Sequence, residues 1–346
     1  MFRRLAGAMR RRAPSVPDAG TPQPPVPGPV EEVAAPPTGS DPVEASDAEA
    51  VEQFWDDKNK PDAELPPNAA WWNAPLIMRH INRVVCGEPI DGIHAGFHRR
   101  LRDFMTDMPH PRRALSIGCG AGTKEMDALA LDVADTFECY DVSGEAVRVA
   151  RQIAQDRGLA DQIVFHHADA FAADLRSDFD LVYWNNALHH MMDVHASVQW
   201  SRDHLRQGGV FAMDDYVGAT RFQHSPEFVA WGSRLLALLP EHLRRHWNGT
   251  DVIPTVVGVL DPAELARIDP SECADSGSIL PAVKSIFPDA EIIKTGGIAY
   301  FIALTHTFHN YTSETELALL NAILMADEAV SDRVESQYAV VIARKS

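Results

Sequence analysis

The chain has 346 residues, an apolar share of 45% and a formal net charge of -18 at pH 7. That charge speaks against a nucleic-acid partner, because phosphate binding needs a positive field, although a small acidic ligand in a local basic pocket stays open. No run reaches the length of a transmembrane helix, so no stable membrane insertion is expected, and four cysteines without a Cys-x-x-Cys pair suit reduced thiols in a cytoplasm.

Residues 1–45 carry arginines and then recurrent prolines, and should form a disordered Arg/Pro-rich tail, because such a stretch buries too little surface to offset its ordering entropy. Met1 to Arg12 also admits a surface-seeking or transit-like reading, but it has no apolar core of secretory length, so export is not expected. Order should begin at a capping box, Ser46-Asp47-Ala48-Glu49, with Val51, Phe54 and Trp55 on one helical face. Residues 46–110 read as an N-terminal helical cap, with helices over Leu76 to Val85 and Gly92 to Met105. Trp71, Trp72, Arg79 and His80 either line an acceptor pocket or staple these helices to a sheet.

From Arg113 the pattern alternates strand and helix, the mark of βαβ units and a parallel sheet. Strands are expected at Ala114 to Ile117, Thr136 to Tyr140, Ile163 to His167, Phe179 to Trp184 and Val210 to Asp214. The helices between them include Lys124 to Val133, Ser143 to Gln155 and Val194 to Leu205. Residues 222–288 read as a mostly helical insertion on the acceptor side, with Pro226, Pro262 and Pro270 at first helical positions. Residues 289–346 return to the sheet through Glu291 to Lys294 and Tyr338 to Ala343, with helices over Tyr300 to His306 and from the capping box at Ser313 to Val330.

The centre of this pattern is Ile117-Gly118-Cys119-Gly120-Ala121-Gly122, a strand running into glycines at alternate positions and then a helix. Glycine takes positive φ and lets a ligand approach the backbone, and the unpaired amides of a first helical turn face polar or anionic groups. Nineteen residues after Gly122, Asp141 closes the second strand, where a carboxylate can accept from ribose hydroxyls. A dinucleotide fingerprint would want glycine where this chain has Thr123.

Gly-x-Gly-x-Gly followed by such an acid resembles the class I S-adenosylmethionine (SAM)-dependent methyltransferases, over roughly Pro111 to Gly218. The resemblance implies an α/β, Rossmann-like sheet of seven strands, mostly parallel, with helices on both faces. It places a SAM-binding core at 111–221 and the last strand antiparallel between the fifth and sixth. It assigns Gly118, Cys119, Gly120, Gly122, Asp141, Val142, Asp169, Ala170 and Asn185 to the cofactor, with Asp169 at the adenine amino group. Asp214-Asp215-Tyr216-Val217-Gly218 followed by Arg221-Phe222-Gln223 resembles a bacterial subgroup whose substrates lean towards glycans and specialised metabolites.

The implied reaction is methyl transfer to a small-molecule or glycan-linked acceptor, more readily at oxygen, and a hydroxyl acceptor needs a base. His189 and His190, just beyond the fourth strand, are the candidates, with Asp214 and Asp215 next; only one histidine of the pair should face the crevice, and His189 is preferred. No metal is expected at Asp214 and Asp215, since neighbouring residues on a strand point to opposite faces. The rival readings are an NAD(P)-dependent oxidoreductase and a non-catalytic SAM-binding interaction protein.

Overall fold

The structure, a computed structural model, describes residues 51–56 and 68–346; the expected tail, the Ser46 capping box and the break after Asp56 lie outside the described residues. Helices α1 (Pro75–Cys86) and α2 (Ala95–Phe104) precede the sheet. The core then alternates β1 (Arg113–Ile117), α3 (Thr123–Ala130), β2 (Thr136–Asp141), α4 (Gly144–Asp156), β3 (Ile163–His167), β4 (Phe179–Asn185), α5 (Val194–His204) and β5 (Leu205–Tyr216). Helices α6 (Pro226–Leu238), α7 (Pro262–Ile268) and α8 (Ile279–Ile286) make the insertion, and β6 (Glu291–Gly296), α9 (Glu314–Val330) and β7 (Tyr338–Arg344) complete the sheet.

The seven strands lie in the order β3-β2-β1-β4-β5-β7-β6, with β7 antiparallel to both neighbours and the other pairs parallel. This is the Rossmann-like α/β architecture the sequence implied. Every residue of β4 is buried, as expected for a central parallel strand covered on both faces. Leu181, Tyr183 and Ala212 pack into the core on one face, and Val182, Trp184, Phe211 and Met213 into that on the other. The strand order reverses between β1 and β4, so a crevice opens beyond their carboxyl ends.

The helix signals mostly act where expected. Ser143, Ser225, Asp261 and Ser313 each accept a backbone N–H from the first turn of the helix they precede, and Ser313 with Glu316 closes a full capping box. Asp269-Pro270 is the exception. The Asp269 carboxylate accepts from the Ser271 amide at 3.0 Å and hydroxyl at 2.9 Å, so a turn starts; Cys273 then takes φ of 50° and no helix follows. Strand β5 begins at Leu205 rather than Val210, because Gly208 at φ 75° allows an irregular pairing with Phe179. Helix α3 stops at Ala130, before Asp132 at φ 61°. The helix expected at Tyr300 to His306 is a π-helix over Ile298–Ala303, whose leading amides at Gly297 and Ile298 donate to the buried Asp327 carboxylate at 2.9 and 3.1 Å.

Candidate active site

The glycine turn divides into packing and open positions. All three glycines have φ between 56° and 67°. A Cβ on Gly118 would stand 2.8 Å from the Ala187 methyl, and one on Gly122 would stand 2.5 Å from the Phe165 ring. Gly120 has nothing within 4 Å of that position, so its open side faces the crevice. Beside it, Asp141 accepts from the Gly120 amide at 2.7 Å and the Ser143 amide at 2.8 Å, which fixes the carboxylate at the tip of β2. Burial raises the Asp141 carboxyl above its ordinary value, and these two amides only partly offset it. A ligand hydroxyl donating to this half-desolvated carboxylate would be well rewarded. The residues at this turn therefore fit an adenosyl group.

The other strand ends lie along the same edge. Cys119 is buried under the turn, and the Val142 carbonyl accepts from His167 at 3.1 Å. Asp169, exposed after β3, accepts from the Phe171 amide at 2.9 Å, and Ala170 beside it is buried. The Asn185 amide donates to the Tyr183 hydroxyl at 2.8 Å, which bonds His98 at 2.8 Å. Burial lowers His98 to about 3, so it stands there as a neutral acceptor. Lys124, from the first turn of α3, donates to the Asn185 carbonyl and ties the glycine turn to the end of β4.

Asp214 and Asp215 point to opposite sides of β5. Asp214 takes His94 at 2.7 Å, and His94 sits in the left-handed conformation just before α2. Asp215 is fully buried. One carboxylate oxygen accepts the Ala187 and Leu188 amides at 2.9 and 2.8 Å; the other takes the Tyr216 amide at 2.8 Å and His189 Nδ1 at 2.5 Å. Burial pulls the His189 imidazolium down, but Asp215 foremost, with Glu272 and Asp269, raises it above the ordinary histidine value. Nδ1 carries the proton towards Asp215, and Nε2 is the atom left to act on a ligand.

His190 is placed differently from the expectation that neighbouring residues diverge. Residues Leu188–His190 form a 3₁₀ turn instead of a strand exit, so the two rings lie side by side with centroids 4.0 Å apart. His190 Nδ1 reaches the Ser271 hydroxyl at 3.1 Å, and its ring meets Trp55 edge-on at 4.9 Å. Arg221-Phe222-Gln223 fastens the insertion's own 269–273 segment, which carries Ser271. Arg221 and Phe222 both take positive φ, and the Arg221 guanidinium donates to the Pro270 and Glu272 carbonyls at 2.7 and 2.9 Å. His189, His190 and Glu272 each offer a ligand atom within 4.8 Å of the others. His94, Lys124, Ser271 and Glu272 were not singled out from the sequence, since each acts through a partner far along the chain.

Trp71 packs on Tyr300 and Tyr338, with ring centroids 5.5 and 5.0 Å apart, whereas Arg79 and His80 line a separate groove against α9. Trp71 therefore staples the cap, and Arg79 and His80 line a groove elsewhere on it.

Residues 112–248 match the model of a methyltransferase domain. Methyltransferase GfsG of Streptomyces halstedii is 27% identical over 185 residues, 53% of this chain and 64% of that protein. The 27-O-demethylrifamycin SV methyltransferase of Amycolatopsis mediterranei is 34% identical over 107 residues, 30% of this chain and 39% of that one. The chain thus spans less than two thirds of these curated relatives. Among solved structures, a geranyl diphosphate C-methyltransferase from Streptomyces coelicolor A3(2) aligns with 88% of this chain and 100% of its own, at 11% identity and a TM-score of 0.46.

A Rossmann-like sheet with a glycine turn and an acid at the second strand defines a nucleoside-binding domain, and the family match says which kind. The match over residues 112–248 supports the expected class I SAM-dependent methyltransferase domain for that part of the chain, with S-adenosyl-L-methionine as its cofactor. Among the described residues no helix is long and apolar enough to cross a membrane.

Proposed function

We propose that the chain transfers the methyl group of SAM to a hydroxyl of a small-molecule or glycan-linked acceptor, with His189 as general base. The observation that carries this reading is the 2.5 Å contact of His189 Nδ1 to the Asp215 carboxylate; a carboxylate accepts there, so in the neutral ring the proton belongs on Nδ1 and Nε2 is the acceptor. Bound SAM supplies the activated methyl group. Gly120 and Asp141 would take its adenosyl part, and the tie from Lys124 to Asn185 holds the two banks of the crevice in register.

The base matters because a hydroxyl becomes a competent nucleophile only as its proton leaves, an effect worth about 100- to 10,000-fold. Asp215 does not itself take that proton; it holds the tautomer and stabilises the imidazolium that forms. The 3₁₀ turn carrying His189 and His190 meets the insertion at Ser271, and the acceptor would sit beside that junction. The relative named for methylating 27-O-demethylrifamycin SV favours an acceptor at oxygen. The resemblance of Asp-Asp-Tyr-Val-Gly and Arg-Phe-Gln to a bacterial subgroup favours a specialised metabolite or glycan.

The test is incubation of purified protein with methyl-labelled SAM and a metabolite extract, followed by isolation of the labelled product. The reading expects label on an oxygen and at least about 100-fold slower transfer by His189→Gln with SAM affinity unchanged. Label on carbon or nitrogen, or full activity in that variant, refutes it. Cofactor binding without any labelled product would favour the non-catalytic alternative.

A further inference from the structure

We propose that His189, His190 and Glu272 form a binding site for one divalent first-row transition-metal ion of zinc type. The three groups come from two segments far apart in sequence, the 188–190 turn and the 269–273 turn of the insertion. Each offers a ligand atom within 4.8 Å of the other two. Around zinc, ligand atoms at about 2.0–2.1 Å in a tetrahedron stand roughly 3.4 Å apart, so about an ångström of side-chain closure completes the set.

The surroundings are those a metal-binding pair of histidines needs. Ligating imidazoles are oriented by a hydrogen bond to the ring nitrogen that does not touch the metal, commonly from a carboxylate. His189 Nδ1 is held by Asp215 at 2.5 Å and His190 Nδ1 by the Ser271 hydroxyl at 3.1 Å, so each ring is already oriented by a hydrogen bond of the kind that positions a ligating imidazole. Ser271 is held in turn by Asp269 at 2.9 Å, and Glu272 accepts the Cys273 thiol at 3.1 Å. Arg221 fixes the backbone of that turn from behind.

Charge and chemistry narrow the ion. Asp215, Asp269 and Glu272 are all buried around the two rings, an acid-rich and nearly dry setting that favours a cation. Two imidazoles with one carboxylate suit zinc, cobalt, nickel or iron, whereas magnesium and calcium select oxygen ligands and water. Cys273, next to Glu272 in this turn, holds the left-handed φ of 50°, a strained conformation for a residue with a side chain.

One consequence rests on the reading of His189 as base: ligation and proton acceptance use the same Nε2 lone pair, so the bound ion inhibits transfer. The binding itself does not depend on that reading.

The experiment titrates Zn2+ by calorimetry and Co2+ by visible absorption into the chelator-stripped full chain. Expected are one ion per chain, a d–d band of low coordination number, and affinity weakened by at least about tenfold in both His190→Ala and Glu272→Gln. Circular dichroism checks that each variant folds, and a Glu272→Asp variant that retains partial binding covers a misfolded glutamine. Binding well below one ion per chain, or equal affinity in the folded variants, overturns the site. If the site stands, Zn2+ should suppress wild-type transfer and chelator should restore it. Zn2+ binding at full stoichiometry together with unimpaired transfer by His189→Gln in chelator would refute the base and leave the metal site intact.

Discussion

Asp215→Asn is the most informative single change, because the carboxylate serves four donors at once. Its two oxygens accept three backbone amides and His189 Nδ1, all between 2.5 and 2.9 Å. An asparagine keeps one oxygen. If that oxygen stays with the Ala187 and Leu188 amides, the NH2 group faces Tyr216 N–H and His189. The Tyr216 amide then loses its acceptor, and His189 must accept at Nδ1, which moves its proton to Nε2. One orphaned buried donor costs about 1–3 kcal/mol and the lost charge assistance a similar amount, so the expected loss is about 2–5 kcal/mol of unfolding free energy. The kinetic effect is separate: with Nε2 protonated the ring cannot take the acceptor's proton, and transfer should fall by about 100- to 10,000-fold at unchanged SAM affinity. Urea unfolding and single-turnover label transfer measure the two losses independently. A variant that is destabilised yet transfers methyl at the wild-type rate would show Asp215 to be scaffolding alone and refute the base.

Three further outcomes follow from the geometry. Asp141→Ala should weaken SAM and its demethylated product alike by about 1–3 kcal/mol in calorimetry, since the ribose loses a carboxylate acceptor; equal dissociation constants would move the ribose contact elsewhere. Gly122→Ala should cost stability through the Phe165 contact at 2.5 Å, whereas Gly120→Ala, with open space around it, should cost cofactor affinity more than stability. The opposite ranking in melting and binding would contradict the division of the turn. Burial raises Asp327 from 3.8 to about 6, so the folded state binds its proton more tightly than the unfolded state does. Stability from this group is present at low pH and is lost as pH rises through that window, reaching about 3 kcal/mol at neutrality. Relative to Asp327→Asn, wild type should therefore lose unfolding free energy between about pH 4 and 7, and parallel profiles would refute the assignment.

The sheet was legible because its signals are local. The apolar runs at Leu115, Val182 and Phe211, and the glycines at Gly118 to Gly122, each carry their meaning within a few residues. The opposite orientation of Asp214 and Asp215 was legible for the same reason, since alternation along a strand is geometric. What escaped was pairing at a distance. Nothing near His94 announces that it meets Asp214 after 120 residues, nor that Glu272 closes on His189. Asp269-Pro270 carries a helix-start signal that is chemically real: the aspartate does cap a turn. The helix fails because the chain bends at Cys273 to keep Glu272 and Ser271 beside the two histidines. The expectation that His190 would diverge from His189 failed because a 3₁₀ turn lacks the strict alternation of a strand.

The split of the acidic pair explains why one short segment reaches two sides of the crevice. Asp214 faces the N-terminal cap and bonds His94, while Asp215 faces the insertion side and bonds His189. The cap is held at the end of β5 through Asp214 and His94, while Asp215 holds the 187–189 segment after β4. Reversing the two residues' register by one would put both histidines on the wrong acids. β5 is paired on both sides here, Asn185 to Asp214 in β4 and Asp214 to Val340 in β7, which leaves the pair little freedom to shift. The geometry around the proposed base is thus fixed by the sheet, and the parts free to vary are the loops that meet it.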